Sequence, residues 1–266
     1  MGIVPTGAAF RGFIIGKEGE PGRVNSKNYG VYITGEAVYN APERDSEMIV
    51  IPGRNGALYR DKGRFDNIDV IYHCGMFADS QQDFATNIRT FRGDLIDASL
   101  NGYNYLYDDY NTDEFRLAVF KEMFEVSPVM NSTAGEFDVV FNCKPQRFLK
   151  TGATEYSPNS GALFTNPTPF SSQPMISFKT SGSGTITLSH NQGNQTITVT
   201  NAPTNTTIYI DCEVGEVYSK SGQQLTSLNN YVSFGTNIPV FYPGSTTFTY
   251  SNSITSVKVT PRWWRI

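Results

Sequence analysis

Short apolar alternations recur along this chain at turn-spaced intervals, and they confine it to β structure. The clearest set lies in the second half: Ile176–Phe178, Ile186–Leu188, Ile197–Val199, Ile208–Ile210, Tyr231–Phe234, Phe248–Tyr250 and Val257–Val259. Each is β-branched or aromatic, and each is bounded by Gly, Pro, Asn, Asp or Ser. Side chains alternate across a strand, so such runs bury one face of a sheet. Many short strands without a helical stripe predict a β-sandwich over 175–266.

The first half carries the same signal less densely. Phe10–Ile15 and Val31–Ile33 read as short strands. In Asn67–His73, Ile68, Val70 and Tyr72 alternate with polar partners. Phe115, Leu117 and Val119 alternate, as do Phe137, Val139 and Phe141, and both sets are expected to face a core. Pro145 confines the end of the last segment to a sheet edge or a strand terminus. One helix is expected. Ser80 is placed to cap it, Asp83 sits near its positive end, and Phe84, Ile88, Phe91 and Leu95 fall on one stripe.

Between these strands lies Met48–Asp61, an apolar run broken by two turn signals. Pro52-Gly53 suits the centre of a type II turn, because proline pre-sets φ and glycine accepts φ > 0. Asn55-Gly56 is a strong short hairpin signal. Together Pro52, Gly53, Arg54, Asn55 and Gly56 predict an extended hairpin with a fixed tip. The stretch carries no group suited to catalysis, so its expected role is shape and assembly.

The charge is unevenly spread. Residues 1–150 hold 16 Lys and Arg against 21 Asp and Glu, whereas residues 151–266 hold 5 against 4. The second half replaces charge with Ser, Thr, Asn and Gly. That shift predicts a first domain over 1–150 and an outer β-sandwich domain over 175–266. The aperiodic, Pro- and Gly-rich span 151–174 is expected to be a linker holding one short strand. A net charge of −4 leaves no basic footprint for nucleic acid. No apolar run approaches the roughly 18 residues of a membrane span. The opening Met-Gly-Ile-Val-Pro lacks the basic and apolar regions of a signal peptide. Three cysteines, Cys74, Cys143 and Cys212, form neither a disulfide framework nor a zinc pattern, and they fit folding in a reducing compartment.

The search for chemistry is empty. His73 and His190 have no carboxylate at a meaningful spacing, and no nucleophile elbow or phosphate loop is present. Asp109-Tyr-Asn111-Thr-Asp113 has the alternating oxygens of a calcium loop. However, Glu114 stands where the loop needs glycine, and Phe120 where it needs a bidentate acid. A solvated acidic loop is expected there, with no metal and no cofactor. Asp108, Asp109 and Glu114 could supply a glycosidase pair, but such residues are plentiful on any surface. Trp263 and Trp264 point to opposite faces of a strand, so core packing is expected for one of them.

Several stretches, in order, resemble the distal tail protein family of long non-contractile-tailed (siphovirus-type) bacteriophages. They are Ile51–Leu58, the helix followed by Tyr103–Tyr110, Phe115–Ala118, Gly135–Leu149, Asn166–Thr168, Ile208–Cys212, Pro243-Gly244 and Val257–Trp263. The resemblance implies a mainly β fold. An N-terminal β-sandwich with a projecting hairpin and one α-helix would carry a C-terminal galectin-like β-sandwich. It also implies a homo-hexameric ring, a structural hub of the virion at the distal end of the tail. That ring would connect the tail tube and tape-measure protein to tail-tip or receptor-binding proteins, without catalysis. Such a protein would be made in the host bacterial cytoplasm. The other readings are a carbohydrate-binding module acting through the C-terminal sandwich on host cell wall, and a tail-associated hydrolase. The sequence offers no catalytic set for the last.

Overall fold

The computed structural model describes residues 10–37 and 39–266, so the N-terminal stretch read above for a signal peptide lies outside the described residues. The chain divides into two compact units, Met1–Arg147 and Phe148–Arg265. It is mostly β, with one long helix.

The first unit runs β1 (Phe13–Ile15), β2 (Val24–Asn25), β3 (Val31–Ile33), β4 (Arg44–Val50), β5 (Ala57–Phe65), β6 (Ile68–Phe77), α1 (Gln81–Asp97), β7 (Asn104–Asp108), β8 (Glu114–Glu122), β9 (Ser127–Val129) and β10 (Ala134–Leu149). Its main sheet follows the order β2-β1-β7-β8-β10-β6-β3, with β9 paired to β10. A bridge from Arg11 to Ile33 brings the two ends of that order together, so the sheet curls and its limbs face each other. Phe13 of β1 stacks on Tyr72 of β6 at 5.3 Å and meets Phe141 of β10 edge-on at 5.2 Å. The expected N-terminal sandwich is thus made by one curled sheet.

Helix α1 packs onto this core through Phe84, Ile88, Phe91 and Leu95, all buried. Burying each such side chain is worth about 1.5–3 kcal/mol. Ser80 caps the helix by accepting from the Asp83 N–H at 3.1 Å, and its hydroxyl donates to the Asp83 carboxylate at 2.6 Å. The Asp83 N–H, one of the first-turn donors without an intrahelical partner, is satisfied in this way. Phe137, Val139 and Phe141 face the core as expected. The pairing of β10 with β6 ends at Cys143 and Ile68. Pro145 lies beyond it, where no N–H is needed toward β6.

Strand β8 departs from its expected phase. Ala118 and Phe120 face the core, not Leu117 and Val119. Phe115 instead joins Tyr105 and Tyr107, at 4.7 and 5.5 Å. The aromatics of β7 give the strand a second apolar face, so hydrophobicity alone does not set its phase. Arg116 therefore points inward and is buried, as are Glu114 and Arg147, whose side chains pair at 2.9 Å.

The second unit holds α2 (Lys150–Ala153), β11 (Ala162–Asn166), β12 (Met175–Thr180), β13 (Gly184–His190), β14 (Gly193–Val199), β15 (Ile208–Asp211), β16 (Glu216–Ser221), β17 (Gln224–Ser227), β18 (Val232–Phe234), β19 (Gly244–Tyr250), β20 (Ile254–Thr260) and β21 (Trp264–Arg265). Two five-stranded sheets, β11-β19-β13-β14-β18 and β17-β16-β15-β12-β20, make a sandwich. Ile186, Leu188, Ile197 and Phe248 from one sheet and Ile176, Phe178, Ile210 and Val259 from the other are fully buried. Trp263 joins this core, whereas Trp264 stacks on Phe170 at 4.3 Å and donates to the Ser171 carbonyl at 3.0 Å.

Residues 151–174 are not a linker. They contribute β11, which pairs with β19 from Ala162–Phe248 to Asn166–Gly244. The stretch beyond β11 is held by polar side chains. The buried Asn166 amide donates to the Phe170 and Phe241 carbonyls and accepts from Thr168, and the buried Ser172 hydroxyl donates to the Pro261 carbonyl at 2.8 Å. Side chains thus satisfy the backbone groups that an irregular buried path leaves open. Limited digestion with subtilisin is accordingly expected to nick the loop between β4 and β5 before it nicks 151–174. Early cleavage within 151–174 would contradict this.

Asp211 and Arg262 form a two-pronged pair in this unit, at 2.6 and 3.1 Å. Burial pushes the Asp211 carboxyl up. The Arg262 guanidinium and the backbone N–H groups of Glu213 and Val214 outweigh it, so the carboxyl titrates below its ordinary value. A carboxylate depressed by folding stabilises the fold above its unfolded pKa, and that stability is lost as pH falls through the folded value. In Arg262→Met the burial cost remains without its partner. The stability gap between wild type and Arg262→Met is expected to be widest near neutrality and to close below about pH 4. Thermal melts of the two proteins from neutral to acid pH measure it. A gap independent of pH would show that the pair contributes nothing electrostatic.

Candidate assembly surfaces

Strands β4 and β5 pair only with each other and form a two-stranded arm. The register runs from Ser46–Asp61 to Val50–Ala57, with an irregularity near Arg44. Residues 51–56 join the strands. The Arg54 N–H donates to the Ile51 carbonyl at 3.2 Å, closing a turn around Pro52 and Gly53. Gly53 has φ 79° and Gly56 φ 80°. These are left-handed values that cost an L side chain about 1–2 kcal/mol. A Cβ at either position meets no atom within 4 Å, so the whole penalty is conformational. Gly53→Val and Gly56→Val are therefore expected to loosen the arm and leave the melting of the two cores unchanged. Amide exchange at Ile49 and Leu58 should rise above that in Ala57→Val. Equal exchange in all three variants would show that these glycines are replaceable.

The arm has no core of its own. Met48, Val50 and Tyr59 lie on one face and are 68%, 77% and 53% exposed; Leu58, on the other face, is 51% exposed. An isolated two-stranded hairpin is at best marginally stable in water. Charge holds its base. Arg44 pairs with Asp61 at 2.5 Å, while Asp45 takes Lys62 at 2.8 Å and Arg64 at 2.6 Å. These partners hold both carboxyls below the ordinary range, Lys62 and then Arg64 for Asp45, and Arg44 and then the Gly63 N–H for Asp61. Nearer the tip, Arg54 and Arg60 have no ion-pair partner among the described residues.

A second surface lies on the outer side of β6 and β10. Ile71, His73 and Phe77 project from β6 opposite Val140, Asp138 and Ala134. Ile71 and Phe77 are exposed, as are Met123 and Val129 beside them. A shallow trough at this edge is lined by Glu122, Met123, Glu125, Glu136, Asp138 and Val140. Glu125 and Glu136 have no cationic partner among the described residues. The molecule thus carries one surface that is apolar with free arginines and another that is apolar with free carboxylates.

The other residues considered for chemistry have structural partners. His73 Nδ1 meets Asp138 Oδ1 at 2.5 Å, an exposed cross-strand pair that strand register creates and sequence spacing hides. His190 Nδ1 accepts from the Gln192 N–H at 3.2 Å, and its Nε2 lies 3.1 Å from the Pro243 carbonyl. Asp109 accepts from the Gly12 N–H and pairs with Lys27. Asp108 accepts from the Tyr72 hydroxyl and from the N–H groups of Tyr110 and Asn111. The Asp109 carboxylate of the calcium-like string is thus engaged with the Gly12 N–H and Lys27, and no cluster suited to a metal occurs among the described residues. All three cysteines are free and buried, and burial pushes the Cys143 and Cys212 thiols up to about 12. Among the described residues no helix is long and apolar enough to cross a membrane.

No family model matches the chain, and no curated protein matches it by sequence. Solved structures do match it by shape. The Dit protein of phage SPP1, described as a paradigm of the hub adsorption apparatus in phages infecting Gram-positive bacteria, aligns with a TM-score of 0.67 and 10% identity, over 93% of this chain and 96% of its own. The phage P2 baseplate in its activated conformation, solved with calcium and with strontium, aligns with a TM-score of 0.53 and 9% identity, over 94% of this chain and 97% of its own. The alignment with the SPP1 protein thus runs over nearly the whole of both chains, and the fold of this protein is that of phage Dit.

Proposed function

We propose that this protein is a structural component of a phage tail, a hub that assembles as a hexameric ring at the distal end. The ring joins the tail tube and tape-measure protein to tail-tip or receptor-binding proteins. Its place is the virion, and its synthesis is in the host bacterial cytoplasm. Its work is assembly, not catalysis. The hub and baseplate character of its structural neighbours supports the setting.

The observation that carries the ring is the arm. A two-stranded element with wet apolar residues on both faces is stabilised when another surface covers it. A closed ring needs two different patches on each subunit, one meeting the other head to tail. The arm and the outer face of β6 and β10 form such a pair. Met48, Val50 and Tyr59 match Ile71, Phe77 and Met123 in character, and Arg54 and Arg60 complement Glu125 and Glu136.

Light scattering and negative-stain images of the purified full chain test the proposal. A six-fold ring is the expected result. A monomer at concentrations up to about 100 μM would set the ring reading aside, because each subunit contact would then be weaker than about 5–6 kcal/mol. The alternative, a carbohydrate-binding module acting through the second unit, draws on one feature of that unit, argued next.

A further inference from the structure

The second unit contains a cleft of about 400 Å³. The start of β14 forms one wall through Asn194 and Gln195, and the segment leaving β18 forms the other through Thr236 and Asn237, with Tyr242 alongside. None of the lining residues is charged. The walls are tied together. Gln195 clamps Val240 twice, accepting from its N–H and donating to its carbonyl, both at 2.8 Å. The Tyr242 ring leans on His190 at 5.3 Å, and His190 in turn meets the Pro243 carbonyl. The side-chain amides of Asn194 and Asn237 have no partner among the described residues.

These features select a ligand class. Each free amide offers two donors and two acceptor lone pairs side by side, which matches a vicinal pair of hydroxyls. Tyr242 adds a flat apolar surface with a polar tip, suited to the C–H face of a pyranose ring. An anionic ligand would lose its hydration here without meeting a cation. The volume lies in the range of small-ligand sites, and the clamped walls remove part of the ordering cost of binding. We infer that the cleft bounded by Asn194, Asn237 and Tyr242 binds a neutral saccharide. This site is independent of the arm and of ring formation.

Titration of the full-length protein with N-acetylglucosamine trimer, maltotriose and cellotriose, followed by amide chemical shifts, tests the inference. Saturable binding of at least one is expected, with shifts concentrated at 192–196 and 235–237. Tyr242→Ala and Asn237→Ala should each weaken it at least about tenfold, whereas Tyr242→Phe should retain it. Asn237 is exposed, so its variant tests the site without disturbing the core. The inference is overturned if none of the three sugars binds. It is equally overturned if the shifts map elsewhere, or if a sulfated disaccharide binds more tightly than the neutral trimers.

Discussion

A chain carrying Met48→Asp and Val50→Asp is expected to stay folded and to lose the ring. Both residues lie on one face of the arm and touch no core, so the folded subunit has little to lose. In a ring the same face would be dry. Charging a buried apolar contact costs on the order of 2–4 kcal/mol per hot-spot residue, and two such changes should weaken each subunit contact by at least about a thousandfold. Light scattering should report monomer where the parent protein is a ring, with an unchanged melting temperature. A charge exchange then identifies the receiving surface. Arg60→Glu should weaken the ring, and adding Glu136→Arg should restore it. If the double aspartate variant assembles normally, the arm is not the joining element. If only the charge exchange fails, the arm docks on another surface and the ring itself stands.

Phe248→Ala is expected to have the largest effect on stability. The side chain is fully buried between the two sheets of the second unit and contacts Phe164 at 5.8 Å and Tyr250 at 6.2 Å. Truncating a buried Phe costs about 3–5 kcal/mol, the lost transfer energy plus the cavity left behind. For a unit of this size that lowers its melting temperature by roughly 10–20 °C. Phe141→Ala should do the same to the first unit, where Phe141 packs against Phe13 and Tyr72. Calorimetry of the two variants should therefore show different transitions displaced. A single transition lowered equally by both would mean that the two cores melt as one.

Where the sequence carried periodicity, it carried the structure. Phe84, Ile88, Phe91 and Leu95 mark α1 because a helix buries every third or fourth residue, and no other element satisfies that pattern. Six of the seven alternating runs of the second half lie wholly in strands for the same reason, with the period of two, and the seventh joins its strand only from Val232, because Tyr231 ends a 3-10 turn. Strands β16 and β17 were not foreseen. Glu216–Ser221 has one fully buried apolar side chain, Val217, with Tyr218 stacked on Tyr209, and Gln224–Ser227 is exposed throughout and held by pairing with β16, so neither shows a period of two. The span 151–174 misled for the opposite reason. Its prolines and serines resemble a linker, yet Asn166 and Ser172 fasten it through hydrogen bonds between residues as many as 89 positions apart, which no local pattern records.

The proposed assembly surfaces were half legible. Pro52-Gly53 and Asn55-Gly56 announce a hairpin, since only a few residue types accept those turns. That the hairpin would lie apart from every other strand is a matter of topology. The face of β6 and β10 was invisible because its exposed apolar residues, Ile71, Phe77, Met123 and Val129, come from three separate stretches. Likewise, Asn194, Asn237 and Tyr242 meet through loops that only the folded sandwich brings together.

The arm also bears on the interval between synthesis and assembly, when each subunit is alone. An open strand edge is a template for unwanted pairing with any other chain. Here the lower part of both edges is guarded by Arg44, Asp45, Asp61, Lys62 and Arg64, already engaged with one another. The unguarded apolar stretch of β4, Met48–Val50, runs on only to Ile51, and Pro52-Gly53 ends it at once. Fibre-forming segments commonly need six or seven such residues without proline. The adhesive part of the subunit is thus kept below the length at which strands stack indefinitely. Under the proposed function, a pool of free copies would stay in solution and remain competent to close into the ring.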